Sequence, residues 1–199
     1  MKKLAIIFPG IGYTTDKPLL YYALDIAYES GYQEYRKIRY ETENKGDIRC
    51  NEKAMEAVFY ELYAQAEKQM ADIDWSLYEE VLFLSKSIGT MVATAYARNN
   101  KLTRVKHVLY TPLKNTYSFE VKNAIAFIGT SDGWSDYKEI ERLSFVAGIE
   151  LEIYEGCNHS LETEDTIGNI ERLHEIMKKT KDFLVPAERV VNCKKERNE

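Results

Sequence analysis

What most constrains this chain is a rhythm. Short runs of apolar, β-branched or aromatic residues are each followed by a longer segment in which apolar residues return every three or four positions. The short runs are Leu4–Phe8, Tyr35–Tyr40, Val81–Leu84, Val105–Tyr110, Ala124–Ile128 and Leu151–Tyr154. The periodic segments lie at about 17–30, 52–71, 88–99, 137–147 and 165–180. Strand and helix alternating in this way build βαβ units around a mainly parallel sheet. Val81–Leu84 and Ala124–Ile128 are apolar on both faces, as central strands covered by helices on each side must be. The expected fold is therefore α/β, a three-layer α/β/α sandwich on a mainly parallel sheet of about six strands. Gly31 and Gly148 fall where two of the helices should stop. Thr111–Asn123 has no clear period and reads as loop.

Composition narrows the class. At 199 residues the chain fits one domain, placed at 1–192, followed by a charged tail over 193–199 expected to be solvated. A hydrophobic fraction of 45% beside 30% charged residues is ordinary for a globular protein. A net charge of -5 works against nucleic-acid binding, which needs a basic surface, and leaves a small molecule as the expected partner. Cys50, Cys157 and Cys193 are scattered, with neither zinc-ligand spacing nor a disulfide framework, and read as reduced thiols. The N-terminal apolar run stops at Pro9, too short for a signal segment or a membrane span. A cytoplasmic location with no membrane association is the resulting expectation, and oligomeric state is not readable.

Three loops that follow strands carry reactive side chains. After Val81–Leu84 come Ser85-Lys86-Ser87-Ile88-Gly89 and then a helix; after Ala124–Ile128 come Asp132 and Asp136; after Leu151–Tyr154 comes His159. A serine between strand and helix is most simply a helix N-cap. It becomes a nucleophile only with a base in reach and a third group to orient that base. Asp136, with Glu139 three residues on, suits a capping box at the start of 137–147. His107, in or beside a strand, and His174, inside a helical pattern, read as structural or surface residues.

Strand, Ser85-Lys86-Ser87-Ile88-Gly89 and helix together resemble the nucleophile elbow of the α/β-hydrolase superfamily, with Ser85 in place of the first glycine of G-x-S-x-G. The resemblance covers roughly residues 3 to 180 and includes the family order of serine, acid and histidine. It implies Ser87 as nucleophile, Asp132 as acid and His159 as base. Pro9-Gly10-Ile11-Gly12-Tyr13 is similar to the family's H-G-x-G loop, with Pro9 where histidine often stands, which implies backbone N–H groups of Ile11 and Ile88 as oxyanion donors. The family sheet has eight strands, so this chain looks like a minimal version, and the short connection before the acid-bearing strand leaves no room for a lid. Tyr13, Tyr117 and Trp134 would then stand on loops at the active end, either lining the substrate or simply packing.

The activity implied is hydrolysis of a small carboxylic ester or related acyl substrate through an acyl-enzyme. Thioester cleavage, acyl transfer with the same triad, and a binding protein that kept the fold without activity stay open. No cofactor or metal is expected. Thr15 stands at the third glycine position of a dinucleotide loop, no phosphate-binding loop exists, and no His, Cys and carboxylate cluster suggests a metal.

Overall fold

Six strands pair in parallel throughout: β1 (Lys2–Phe8), β2 (Glu34–Lys37), β3 (Tyr78–Lys86), β4 (Val105–Tyr110), β5 (Ala124–Gly129) and β6 (Glu150–Tyr154). The computed structural model describes residues 2–42, 48–49 and 51–185, so the charged tail at 193–199, Cys50 and Cys193 lie outside the described residues. The sheet order is β2-β1-β3-β4-β5-β6. After β1 the chain therefore moves outward to β2, then returns past β1 to β3 and runs on in the opposite direction. The loops leaving β1 and β3 diverge at their C-terminal ends and open a crevice there, the usual ligand position in such sheets. Pairing of Phe8 with Ser85 and of Lys86 with Tyr110 fixes which residues reach that end together.

Helices cover both faces, as the doubly apolar runs require. On one face α1 (Pro18–Glu29) and α5 (Thr166–Leu184) bury Leu20, Ala23, Ile176 and Met177 against Ala5, Ile7, Leu82, Leu84, Val108 and Phe127. On the other, α2 (Glu52–Met70) and α3 (Ile88–Asn99) pack Leu62, Met91 and Val92 against Leu4, Ile6, Val81 and Phe83. Further along that face α4 (Tyr137–Ala147) covers β5 and β6. Local chemistry starts these helices: Pro18 opens α1, and the side chains of Asn51, Asp136 and Asp165 accept from backbone N–H groups in the first turns of α2, α4 and α5.

Two expectations need correction. The run Tyr35–Tyr40 stops being strand at Lys37, because the glutamines of α2 take over the backbone. Gln69 accepts from Arg39 N–H and donates to its carbonyl, while Gln65 does the same for Glu41. The segment after β4 is not plain loop: Lys114–Phe119 forms a 3₁₀ helix whose Thr116 meets Thr90 of α3 at 2.6 Å. A three-residue turn leaves no 3.6-residue period to read. No inserted domain separates β4 from β5.

Candidate active site

The turn after β3 places Ser87 at φ 55° and ψ -128°, a conformation that L-residues rarely adopt. Its side chain does not cap α3, so the simple N-cap role does not describe it. Ser85 does not cap either; it is buried in the strand and donates to the Val108 carbonyl. The strain at Ser87 is held in place from both sides. Ser87 N–H donates to the Tyr110 carbonyl at 3.0 Å, and its own carbonyl accepts from Thr90 N–H and Oγ1. Behind the turn, a Cβ on Gly89 would stand 2.4 Å from the carbonyl oxygens of Phe8 and Pro9, so only glycine lets α3 start this close to the β1 loop.

His159 Nε2 lies 2.8 Å from Ser87 Oγ, and His159 Nδ1 lies 2.7 and 2.8 Å from the two oxygens of Asp132. An ionised carboxylate only accepts hydrogen bonds, so this geometry puts the imidazole proton on Nδ1 and leaves Nε2 to accept from the serine hydroxyl. The side chain of Asp132 is fully buried; Oδ1 also accepts from the N–H groups of Trp134 and Ser135. Asp136 is elsewhere occupied, capping α4 through Lys138 N–H. The acid and histidine loops touch directly: a Cβ on Gly129 would come within 2.1 Å of the Cys157 carbonyl oxygen.

Trp134 stacks on the imidazole, ring centroids 5.6 Å apart. Burial holds the His159 pKa below the ordinary histidine value, and the Lys86 cation adds to the depression; the hydrogen bond and charge of Asp132 oppose it. A histidine that stays neutral in this way can accept a proton at neutral pH.

Ser87 and His159 open into a cleft of about 180 Å³ whose wall includes Ile11, Ile88, Tyr13 and Trp134. Ile88 is the first residue of α3, so its N–H has no intrahelical acceptor, and the helix dipole favours negative charge there. Ile11 N–H finds no backbone acceptor among the described residues. A wider cleft of about 340 Å³ adjoins, sharing Met55, Leu113 and Trp134.

Not every expected residue arrives. Tyr117 belongs to the 3₁₀ helix, donates or accepts at Ser144 Oγ of α4 at 2.7 Å and packs with Leu109 and Ala126, away from the cleft. It is a packing residue. Tyr13 does line the cleft, but its hydroxyl is committed to Leu19 N–H and its ring is buried. His107 is buried in β4 edge-on to Phe83, and His174 is exposed on α5. The residue that sequence reasoning passed over is Lys86. It is 1% exposed, beside Ser87, and donates to Thr111 Oγ1 at 2.5 Å and to the His159 carbonyl at 2.6 Å. A lysine closing a strand apolar on both faces was its only sequence signal. Among the described residues no cluster of His, Cys, Asp and Glu could hold a metal ion, and no helix is long and apolar enough to cross a membrane.

No protein-family profile and no curated protein sequence matches the chain. Solved structures do. An α/β serine hydrolase homologue from Coxiella burnetii is 14% identical over 90% of this chain and 83% of its own, with a TM-score of 0.59. An α/β serine hydrolase without a lid from Xanthomonas campestris is 12% identical, covering 92% and 80%, at 0.57. Est1E from Butyrivibrio proteoclasticus is 12% identical, covering 96% and 89%, at 0.63. Identities this low establish a shared fold.

Proposed function

We propose, from the premise that this chain has the α/β-hydrolase fold, that it is a serine hydrolase cleaving a small carboxylic ester or a related acyl substrate. The observation that carries the reading is the unbroken line of hydrogen bonds from Ser87 Oγ through His159 to the buried Asp132. Ser87 Oγ attacks the acyl carbon while His159 Nε2 takes its proton, and Asp132 holds the imidazole and balances its charge. The carbonyl oxygen, now negative, lies between the N–H groups of Ile11 and Ile88. His159 returns its proton to the leaving group, and water, activated by the same imidazole, releases the acid. The cleft of about 180 Å³ suits a compact acyl group, with the leaving group extending past Trp134 into the wider cleft.

Turnover of short-chain nitrophenyl esters against longer-chain esters, thioesters and amides tests this. Because His159 acts as a neutral base, kcat/KM should fall as pH drops through its pKa, with a midpoint below the ordinary histidine value. A rate that keeps rising toward acid pH would rule out an imidazole base. Absence of turnover across the panel, with Ser87 inert to acylating reagents, would leave a binding protein on this fold.

A further inference from the structure

We propose that Lys86 is a positioning residue for His159: its buried ammonium ties the main-chain carbonyl of His159 to the end of β4 through Thr111, and so sets the imidazole within reach of Ser87. The inference rests on the serine-hydrolase reading for its consequence and on Lys86 itself for its geometry. Three atoms form a closed triangle. Lys86 Nζ donates to Thr111 Oγ1 and to the His159 carbonyl oxygen, while Thr111 Oγ1 donates to that same oxygen at 3.2 Å. The third ammonium hydrogen has the Tyr13 ring, whose centroid is 5.0 Å away.

A buried cation is costly, and proteins normally place a carboxylate on it. Among the described residues Lys86 has only neutral acceptors and a ring. The charged and titratable groups around it are Asp132 from the acid loop, Glu162 from the histidine loop, the neutral imidazole of His159, and Lys17 at 5.8 Å from the same Tyr13 ring. Burial pulls the Lys86 pKa down to about 7, against the charges of Asp132 and Glu162. A lysine kept for packing alone would be better replaced by an apolar chain of the same length. What the ammonium supplies, and an apolar chain cannot, is a fixed point for the His159 carbonyl.

The backbone on both sides of it takes sparsely populated conformations. Thr111, a β-branched residue, sits at φ 45°, and Leu161, two residues past His159, sits at φ 60°. Both strained positions lie in segments that the triangle joins. Strain of this kind persists only where surrounding contacts over-determine it.

The test compares wild type with Lys86→Met, Thr111→Val and Thr111→Ser, reading three things: His159 titration by NMR, melting temperature, and ester kinetics over pH. With three histidines in the chain, His159 can be assigned by loss of its signal in His159→Gln. Losing the cation should raise the His159 pKa in Lys86→Met. Melting temperature should hold or rise, because an apolar isostere replaces a buried charge. The kcat should fall about 10- to 100-fold with KM little changed, as misplacement of a catalytic group predicts. Thr111→Val should lose part of the rate, and Thr111→Ser should recover most of it. A Lys86→Met protein with wild-type kinetics and an unmoved His159 titration overturns the proposal, and so does a rate loss that only follows a lowered melting temperature. If the wild type itself turns over no ester, the functional reading fails separately, while the His159 titration still decides whether Lys86 acts on it.

Discussion

The two ends of the parallel sheet treat charge in opposite ways. At the N-terminal end of β3, Glu80 is met by Lys3 at 3.1 Å, Lys106 at 3.6 Å and the Tyr32 hydroxyl at 3.0 Å. Burial raises its pKa, but the hydrogen bonds from Lys3 and Tyr32 and the two lysine charges win and bring it down to about 2. At the C-terminal end of the same strand, Lys86 is buried with neutral acceptors, and Ser87 beside it is backbone-strained. One end is arranged for stability and the other for geometry. Charge pairing and site geometry are thus separated along a strand of nine residues, Tyr78–Lys86, rather than spread over the molecule.

If that division is right, substitutions at the two ends should fail in different currencies. The largest effect belongs to Ser87→Ala, which should lower ester kcat by at least about 10³-fold with no loss of melting temperature. Next, Asp132→Asn should cost about 10²- to 10⁴-fold in kcat by releasing the imidazole tautomer. Asp136→Asn, which alters only a cap, should leave kcat unchanged and shift stability by a few tenths to about 1 kcal/mol. The reverse ranking of the two aspartates would transfer the acid role to Asp136.

At the opposite end, Glu80→Gln should leave kcat alone and cost about 1–2 kcal/mol of stability at neutral pH, solvent screening of this part-exposed carboxylate included. The sign follows from the depressed native pKa. Stabilisation by Glu80 is full above the unfolded carboxylate value, about 4.3, and fades as pH falls toward the native value of about 2. Denaturant melts from pH 6 down to pH 2 should therefore converge for wild type and variant near the acid end; curves that stay parallel would break the contrast. A comparably small effect is expected at the strained turn itself. Ser87→Gly, which relieves φ 55°, should be about 1 kcal/mol more stable than Ser87→Ala, which keeps the Cβ, while both are inactive.

Much of this was legible in the sequence for a physical reason: strands apolar on both faces have one use, and the loops after them face one end of the sheet. Val105–Tyr110, the helix at 88–99 and the helix at 137–147 emerge with the expected bounds. The spatial convergence of Ser87, Asp132 and His159 follows from the order of their loops. What the sequence hid was contact chemistry between distant segments. Nothing near Tyr40 announces that Gln65 and Gln69 will occupy its strand's backbone, and nothing near Tyr117 announces Ser144. Lys86 escaped because its partners lie 25 and 73 positions away.

Whether Ser87 is the nucleophile is tested most directly by covalent labelling with a fluorophosphonate, located by peptide mass spectrometry and timed in wild type, Ser87→Ala and Asp132→Asn. A single adduct is expected on the peptide containing Ser87, none in Ser87→Ala, and slower labelling in Asp132→Asn. An adduct on another residue, or equal labelling of wild type and Ser87→Ala, would contradict it.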